Sequence, residues 1–157
     1  MKLMALPFAQ LDPLAAYGLW KLRQDVFVVE QHCPYPDLDG RDLDPATRHV
    51  LLMEDDHESV VGCARVLDEL LEEPVWRIGR VCLHPTARGR GLGDAVMEAA
   101  LQICPGRDVV LDAQAPLAEW YAGLGFEVTG PEFLEDGIPH VPMRLPLGQV
   151  PPTSRHL

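Results

Sequence analysis

The sequence predicts an α/β or α+β fold: one sheet with helices packed on it. Three observations carry that prediction. Strand-like and helix-like apolar periods follow one another in the order β-α-β-β-β-α-β-α-β-β. Three consecutive strand-like runs between residues 49 and 83 are spaced as an antiparallel meander. A short apolar run, a glycine-rich turn and a helical pattern then follow without interruption in RVCLHPTARGRGLGDAVMEAAL, residues 80–101.

Residues 2–8 read as the first strand. Asp12-Pro13 is a helix start, an N-cap followed by proline at the first helical position. Ala15, Leu19, Leu22 and Val26 recur at spacings of four, three and four, which predicts a helix to about Phe27. Residues 32–47 form a long proline- and aspartate-rich loop, of a length that in compact domains is usually functional or disordered. Strands are predicted over 49–53, 59–67 and 75–83, with a turn at Asp55-Asp56-His57-Glu58. After the glycine turn, Leu92, Val96, Ala100 and Ile103 mark a helix face that Pro105-Gly106 ends. A buried strand over 108–112, a helix over 116–124 and strands over 126–129 and 141–145 complete the set.

At 157 residues the chain is expected to form one domain, over 1–147, with a loosely ordered proline-rich tail over 148–157. No apolar run approaches the length of a membrane span. The N-terminal stretch has one lysine, is interrupted by Gln10 and Asp12, and lacks a small-residue cleavage site; it reads as a strand, not a signal peptide, and cytoplasmic residence is expected. Cys33, Cys63, Cys82 and Cys104 are scattered, with no CxxC pair, and the histidines lack ligand spacing, so no metal is expected.

A net charge of -11 argues against a nucleic-acid partner, which requires clustered positive charge. The exception is local. Arg77, Arg80, Arg88 and Arg90 fall within fourteen residues, enough to attract a small anion. A helix N-terminus offers free backbone N–H groups and the positive end of its dipole, and glycines let a phosphate reach them. Residues 88–93 lack the lysine and Ser/Thr of a P-loop, because Asp94-Ala95 follows the last glycine. The Gly89-x-Gly91-x-Gly93 spacing also fails the dinucleotide pattern GxGxxG. What remains is R-x-x-G-x-G, with Arg88, Gly91 and Gly93 in the fixed places, after a strand and opening a helix.

That segment resembles the coenzyme A pyrophosphate loop of the GNAT superfamily of N-acetyltransferases, and Glu119 to Phe126 (EWYAGLGF) sits where that family places its following helix. Leu22 to Asp44, Thr47 to His49, Ile78 to Val81, Asp112 to Gln114 and Glu135 to Met143 are similar to its ElaA-like branch, a likeness covering nearly the whole chain. The resemblance implies a mixed, mostly antiparallel sheet of six to seven strands with helices on both faces. It implies acetyl-CoA as acyl donor, without a metal, and a small-molecule or peptide amine as acceptor. No membrane partner is expected, and the protein is expected to be a monomer or homodimer.

Residue roles follow from the same resemblance. Val81, Cys82 and Leu83 would bond the pantetheine arm through their backbone. The N–H groups of Gly89, Arg90, Gly91, Leu92, Gly93 and Asp94 would hold the pyrophosphate, with Arg88 and Arg90 adding charge, and Gln114 would contact the cofactor. Tyr121 matches the general acid that protonates the departing thiolate. Many relatives carry a carboxylate near Ile78-Gly79 and this chain has none, so the candidate bases are Glu30, His32, His140 and the aspartates of the 37–44 loop, with Glu30 and His140 placed first. Arg23, Asp42, Asp44 and Arg80 also resemble the charge network of acyl-homoserine-lactone synthases, which implies an ion-pair network ordering the long loop over the acceptor pocket. That likeness keeps open a synthase of that type, and because fold does not imply function a non-catalytic coenzyme A-binding module on the same fold also stays open.

Overall fold

Alternation along a single buried strand decides which helix covers which face of the sheet. In Arg48–Met53 (β2), Val50 and Leu52 join one core cluster while Leu51 and Met53 join another on the opposite face. The computed structural model describes residues 1–56 and 59–146. The tail expected over 148–157 and His57-Glu58 of the expected turn lie outside the described residues.

Helix α1 (Pro13–Arg23) opens as expected: the Asp12 carboxylate accepts the Ala15 N–H at 2.8 Å and Pro13 occupies the first turn. Ala15, Leu19 and Leu22 pack on Leu51, Met53 and Cys63. The helix does not continue to Phe27 in α form. From Gln24 to Glu30 it widens into a π-helical segment, in which the Gln31 N–H reaches the Val26 carbonyl five residues back, at 3.2 Å. The apolar period survives the change, because Val26 still joins the same cluster.

Among the described residues the sheet has eight strands. In order they are Lys2–Leu6 (β1), β2, Val60–Leu70 (β3), Pro74–Leu83 (β4), Val109–Gln114 (β5), Ile138–Leu145 (β8) and Glu127–Val128 (β6), with Phe133–Glu135 (β7) pairing β8 beside β6. All pairs are antiparallel except β4 with β5. The β7–β8 hairpin turns on Asp136-Gly137, both at positive φ, +51° and +78°. Two left-handed central residues are what a type I′ turn requires.

Helix α2 (Leu92–Gln102) covers the other face of the sheet. Val96, Met97, Ala100 and Leu101 pack with Val50, Leu52, Val66, Ile78 and Leu111. Helix α3 (Ala118–Gly123) places Tyr121 in that cluster too, against Phe126 at 6.0 Å between ring centroids. Helices therefore lie on both faces of a mixed α/β sheet. Fully burying each such aliphatic side chain stabilises the fold by about 1.5–3 kcal/mol.

Strand β4 is irregular on both of its edges. Arg80 has φ +51°, and Arg80–Val81 stand opposite the single Ala64 of β3, a bulge between the register pairs Cys63↔Cys82 and Arg65↔Gly79. On its other edge β4 meets β5 only at Trp76↔Val109 and Arg77↔Val110. Beyond Arg77 the two strands part, while β5 stays paired with β8 along its other edge from Val109 to Gln114.

Candidate active site

The parting of β4 from β5 opens a cavity of about 940 Å³ that runs from the glycine turn to the far ends of β3 and β4. Its walls include Val81, Cys82 and Leu83 on β4 and Gln114 on β5. One edge of β4 is thus left without a strand partner along Ile78–Leu83. Backbone groups on such an edge must find another partner.

The glycine turn closes one end. Gly89 and Gly91 both sit at φ +72°, where a Cβ would clash with the backbone, and Gly91 directly precedes α2. At Gly93 an added Cβ would lie 3.3 Å from the Trp120 ring, which is held there by its Nε1–H donating to Asp94 Oδ1 at 2.7 Å. Arg88, Gly89, Gly91, Leu92, Gly93 and Asp94 all line the cavity. Arg90 is exposed and stands off that wall, so of the two arginines expected to add charge only Arg88 faces it. Arg88 donates through Nε to the Leu83 carbonyl at 3.1 Å, and through both terminal nitrogens to Glu30 at 2.7 and 2.8 Å. Those hydrogen bonds hold the Glu30 carboxyl below its ordinary pKa.

Tyr121, Cys82, Gln114 and His140 line the middle of the cavity. Tyr121 is buried, and that burial pushes its phenol well above the ordinary value. Among the described residues its hydroxyl has no hydrogen-bond partner. Cys82 Sγ lies 3.6 Å from Cys63 Sγ; that contact first, then burial, pushes the Cys82 thiol upward and keeps it protonated. Gln114 exchanges amide hydrogen bonds with Gln31 at 3.1 and 3.4 Å. His140, the register partner of Gln114, has Nδ1 2.7 Å from the Ile138 carbonyl and stacks on Phe133. A carbonyl only accepts, so Nδ1 carries the proton and Nε2 is left as the basic nitrogen, 4.0 Å from Glu135.

An ion network flanks the opposite end. Arg23, fully buried, donates to Asp37 Oδ2 at 2.9 Å, the Asp37 carbonyl at 2.9 Å and Asp42 Oδ1 at 2.7 Å. Arg65 bridges Asp42 and Asp39, and Arg80 Nε lies 2.9 Å from Asp37 Oδ1. Tyr35 donates to Asp37 at 2.5 Å. Arg23, Asp42 and Arg80 are thus brought together, with Arg80 on the cavity wall and Arg23 and Asp42 behind it. Asp44 is not part of the network. Its carboxylate takes the Ala46 N–H at 2.9 Å, closing a turn on the exposed side of the loop.

Sequence reasoning did not place Asp37, Asp39 or Arg65 in this network, and it missed Gln31. Arg65 carried a signal, because a lone arginine inside the apolar strand VVGCARVL needs buried acidic partners. Asp37 and Asp39 are the partners that the aspartate-rich loop supplies.

The slot, the left-handed glycine pair and the helix behind it define an acyltransferase fold, and similarity to known proteins agrees. A family model for the acetyltransferase (GNAT) domain matches residues 24–147, and the chain belongs to that family. It is 51% identical over 142 residues to a UPF0039 protein of Mycobacterium tuberculosis, covering 89% of this chain and 90% of that protein. It is 41% identical over 141 residues to the protein ElaA of Escherichia coli, covering 86% and 90%. The crystal structure of that ElaA superposes with a TM-score of 0.85 over 92% of this chain and 99% of the other. The crystal structure of an acyl-CoA N-acyltransferase from Pseudomonas aeruginosa superposes with a TM-score of 0.84 at 38% identity, over 92% and 99%. Among the described residues, no helix is long and apolar enough to cross a membrane.

Proposed function

We propose that this chain, as a single domain over 1–147, moves an acetyl group from acetyl-CoA directly to the amine of a small-molecule or peptide acceptor. The observation that carries this reading is the unpaired β4 edge leading into the left-handed Gly89/Gly91 turn at the start of α2. The residues present fit coenzyme A. The backbone of Val81 to Leu83 would hold the pantetheine arm as an added strand, and the N–H groups from Gly89 to Asp94 would hold the pyrophosphate. Arg88 and Gln114 would contribute side-chain hydrogen bonds. The donor supplies an acyl carbon already activated as a thioester.

Tyr121 donates its phenolic proton to the departing sulfur. Its burial keeps that proton in place until it is needed, and no competing acceptor holds the hydroxyl among the described residues. His140 Nε2 takes the proton from the attacking amine, since Nδ1 is already committed to the Ile138 carbonyl. Glu30 is the weaker candidate base, because both its oxygens are tied to Arg88 beside the glycine turn. Cys82 supports direct transfer, because a thiol kept protonated is a poor nucleophile.

Thiol release from acetyl-CoA across a broad panel of amines, amino acids and peptides tests the proposal. At least one acceptor should give turnover, and Tyr121→Phe should lower kcat by about 10²-fold or more with coenzyme affinity unchanged. Tight coenzyme binding with no turnover on any acceptor would favour the non-catalytic module. Full turnover in Tyr121→Phe would remove the general-acid role.

A further inference from the structure

Two of the side chains assigned to coenzyme A are already held, and by consecutive residues. Glu30 closes both oxygens on Arg88, and Gln31 exchanges amide hydrogen bonds with Gln114. Cys33 adds a third tie, its Sγ donating to the Asp136 carbonyl at 3.4 Å. All three ties start where the π-helical segment ends, and each crosses to a different element: the glycine turn, β5 and the β7–β8 hairpin. The widened turn makes this possible. With the Gln31 N–H bonded to Val26 and the Cys33 N–H to Val28, five residues back in each case, both Glu30 and Gln31 come to the cavity wall.

The chemistry of the two ties matches the ligand they stand beside. A carboxylate paired two-pronged with a guanidinium occupies it as a phosphate would. A primary amide exchanging N–H and C=O bonds with a glutamine occupies it as a pantetheine amide would. We infer that Glu30 and Gln31 act as an internal stand-in for the coenzyme. They keep Arg88 and Gln114 oriented at the slot and are displaced when the coenzyme enters. This rests on the coenzyme reading above. Under it, Glu30 and Gln31 are positioning residues that set donor affinity, and the π-helical segment moves off the slot as the donor binds.

Calorimetric titration with coenzyme A and with pantetheine, which lacks the pyrophosphate, tests this in wild type, Glu30→Gln, Arg88→Gln, the double variant and Gln31→Ala. Melting curves confirm that each variant is folded. Glu30→Gln should bind coenzyme A about three- to tenfold tighter, less so at high salt, with no change for pantetheine. In the Arg88→Gln background the gain should shrink. Gln31→Ala should tighten both ligands alike. Coenzyme A binding by Glu30→Gln no tighter than wild type overturns the inference, as does weaker binding of both ligands by Gln31→Ala. A gain undiminished in Arg88→Gln reduces Glu30 to bare charge repulsion and also overturns it. If wild type binds no coenzyme A at all, the coenzyme reading itself fails and takes this inference with it.

Discussion

Replacing Arg23 by methionine isolates the contribution of the buried ion network. Methionine keeps most of the apolar stem and removes the guanidinium, which sits 5.2 Å above the Trp20 ring centre. Asp42, only 2% exposed, would then keep one ion partner, Arg65 at 3.2 Å. Asp37 would keep Arg80 and Tyr35 but lose two bonds at 2.9 Å. Removing one partner from a buried charge pair costs about 3–5 kcal/mol, because the other charge stays behind. For a chain of this length that lowers Tm by about 10 °C. Urea denaturation followed by circular dichroism measures the loss, and adding Asp42→Asn to Arg23→Met should recover at least about 1 kcal/mol by removing the stranded charge. A loss under about 1 kcal/mol in the single variant, or no recovery in the double, would refute the reasoning.

The same variant changes the acid limb. Burial pushes the Asp42 carboxyl up, but hydrogen bonds and charges from Arg23 and then Arg65 outweigh that and hold it below its ordinary 3.8. Asp39 is held at about 2: its burial is outweighed by Arg65, the Arg41 N–H and Arg80. A carboxyl lowered by folding contributes stability above its unfolded value and loses it as pH falls through its folded value. The network's contribution is therefore complete at neutral pH and is lost as pH falls from 3.8 toward about 2. Arg23→Met should flatten that decline.

Two further outcomes concern the slot. Gly91→Ala forces a Cβ into φ +72° and should cost about 1–2 kcal/mol in denaturation while weakening coenzyme A binding; unchanged stability would mean that the turn relaxes freely. Gly62→Ala would place a Cβ 2.8 Å from Leu83 Cδ2 and 3.2 Å from Leu52 Cβ, and should destabilise by about 1–3 kcal/mol unless the Leu83 side chain swings aside; a variant as stable as wild type shows that it does.

The glycine turn was legible because its backbone conformation admits few residues, so Gly89 and Gly91 had to be written as glycine. Helix α1 was legible in position but not in form. Ala15, Leu19, Leu22 and Val26 stay on one face whether the last turn is α or π, so periodicity cannot report the widening after Arg23. Strand β7 had a sequence signal that went unread, the Asp136-Gly137 pair of a tight hairpin. The aspartates of the 32–47 loop announced a charge network, but which of them turn inward depends on loop geometry. Asp37 and Asp39 do, and Asp44 closes a turn instead.

The bulge at Arg80 changes the parity of β4. Before it, even-numbered Ile78 belongs to the core under α2; after it, odd-numbered Val81 and Leu83 do, and Cys82 joins the core under α1. One surplus residue therefore reverses the facing of everything downstream in the strand. Substitution at position 80 would leave that reversal intact as long as the extra residue remains. Deleting it would rotate Val81, Cys82 and Leu83 onto the wrong faces together, turning both cores and the slot wall inside out at a single step.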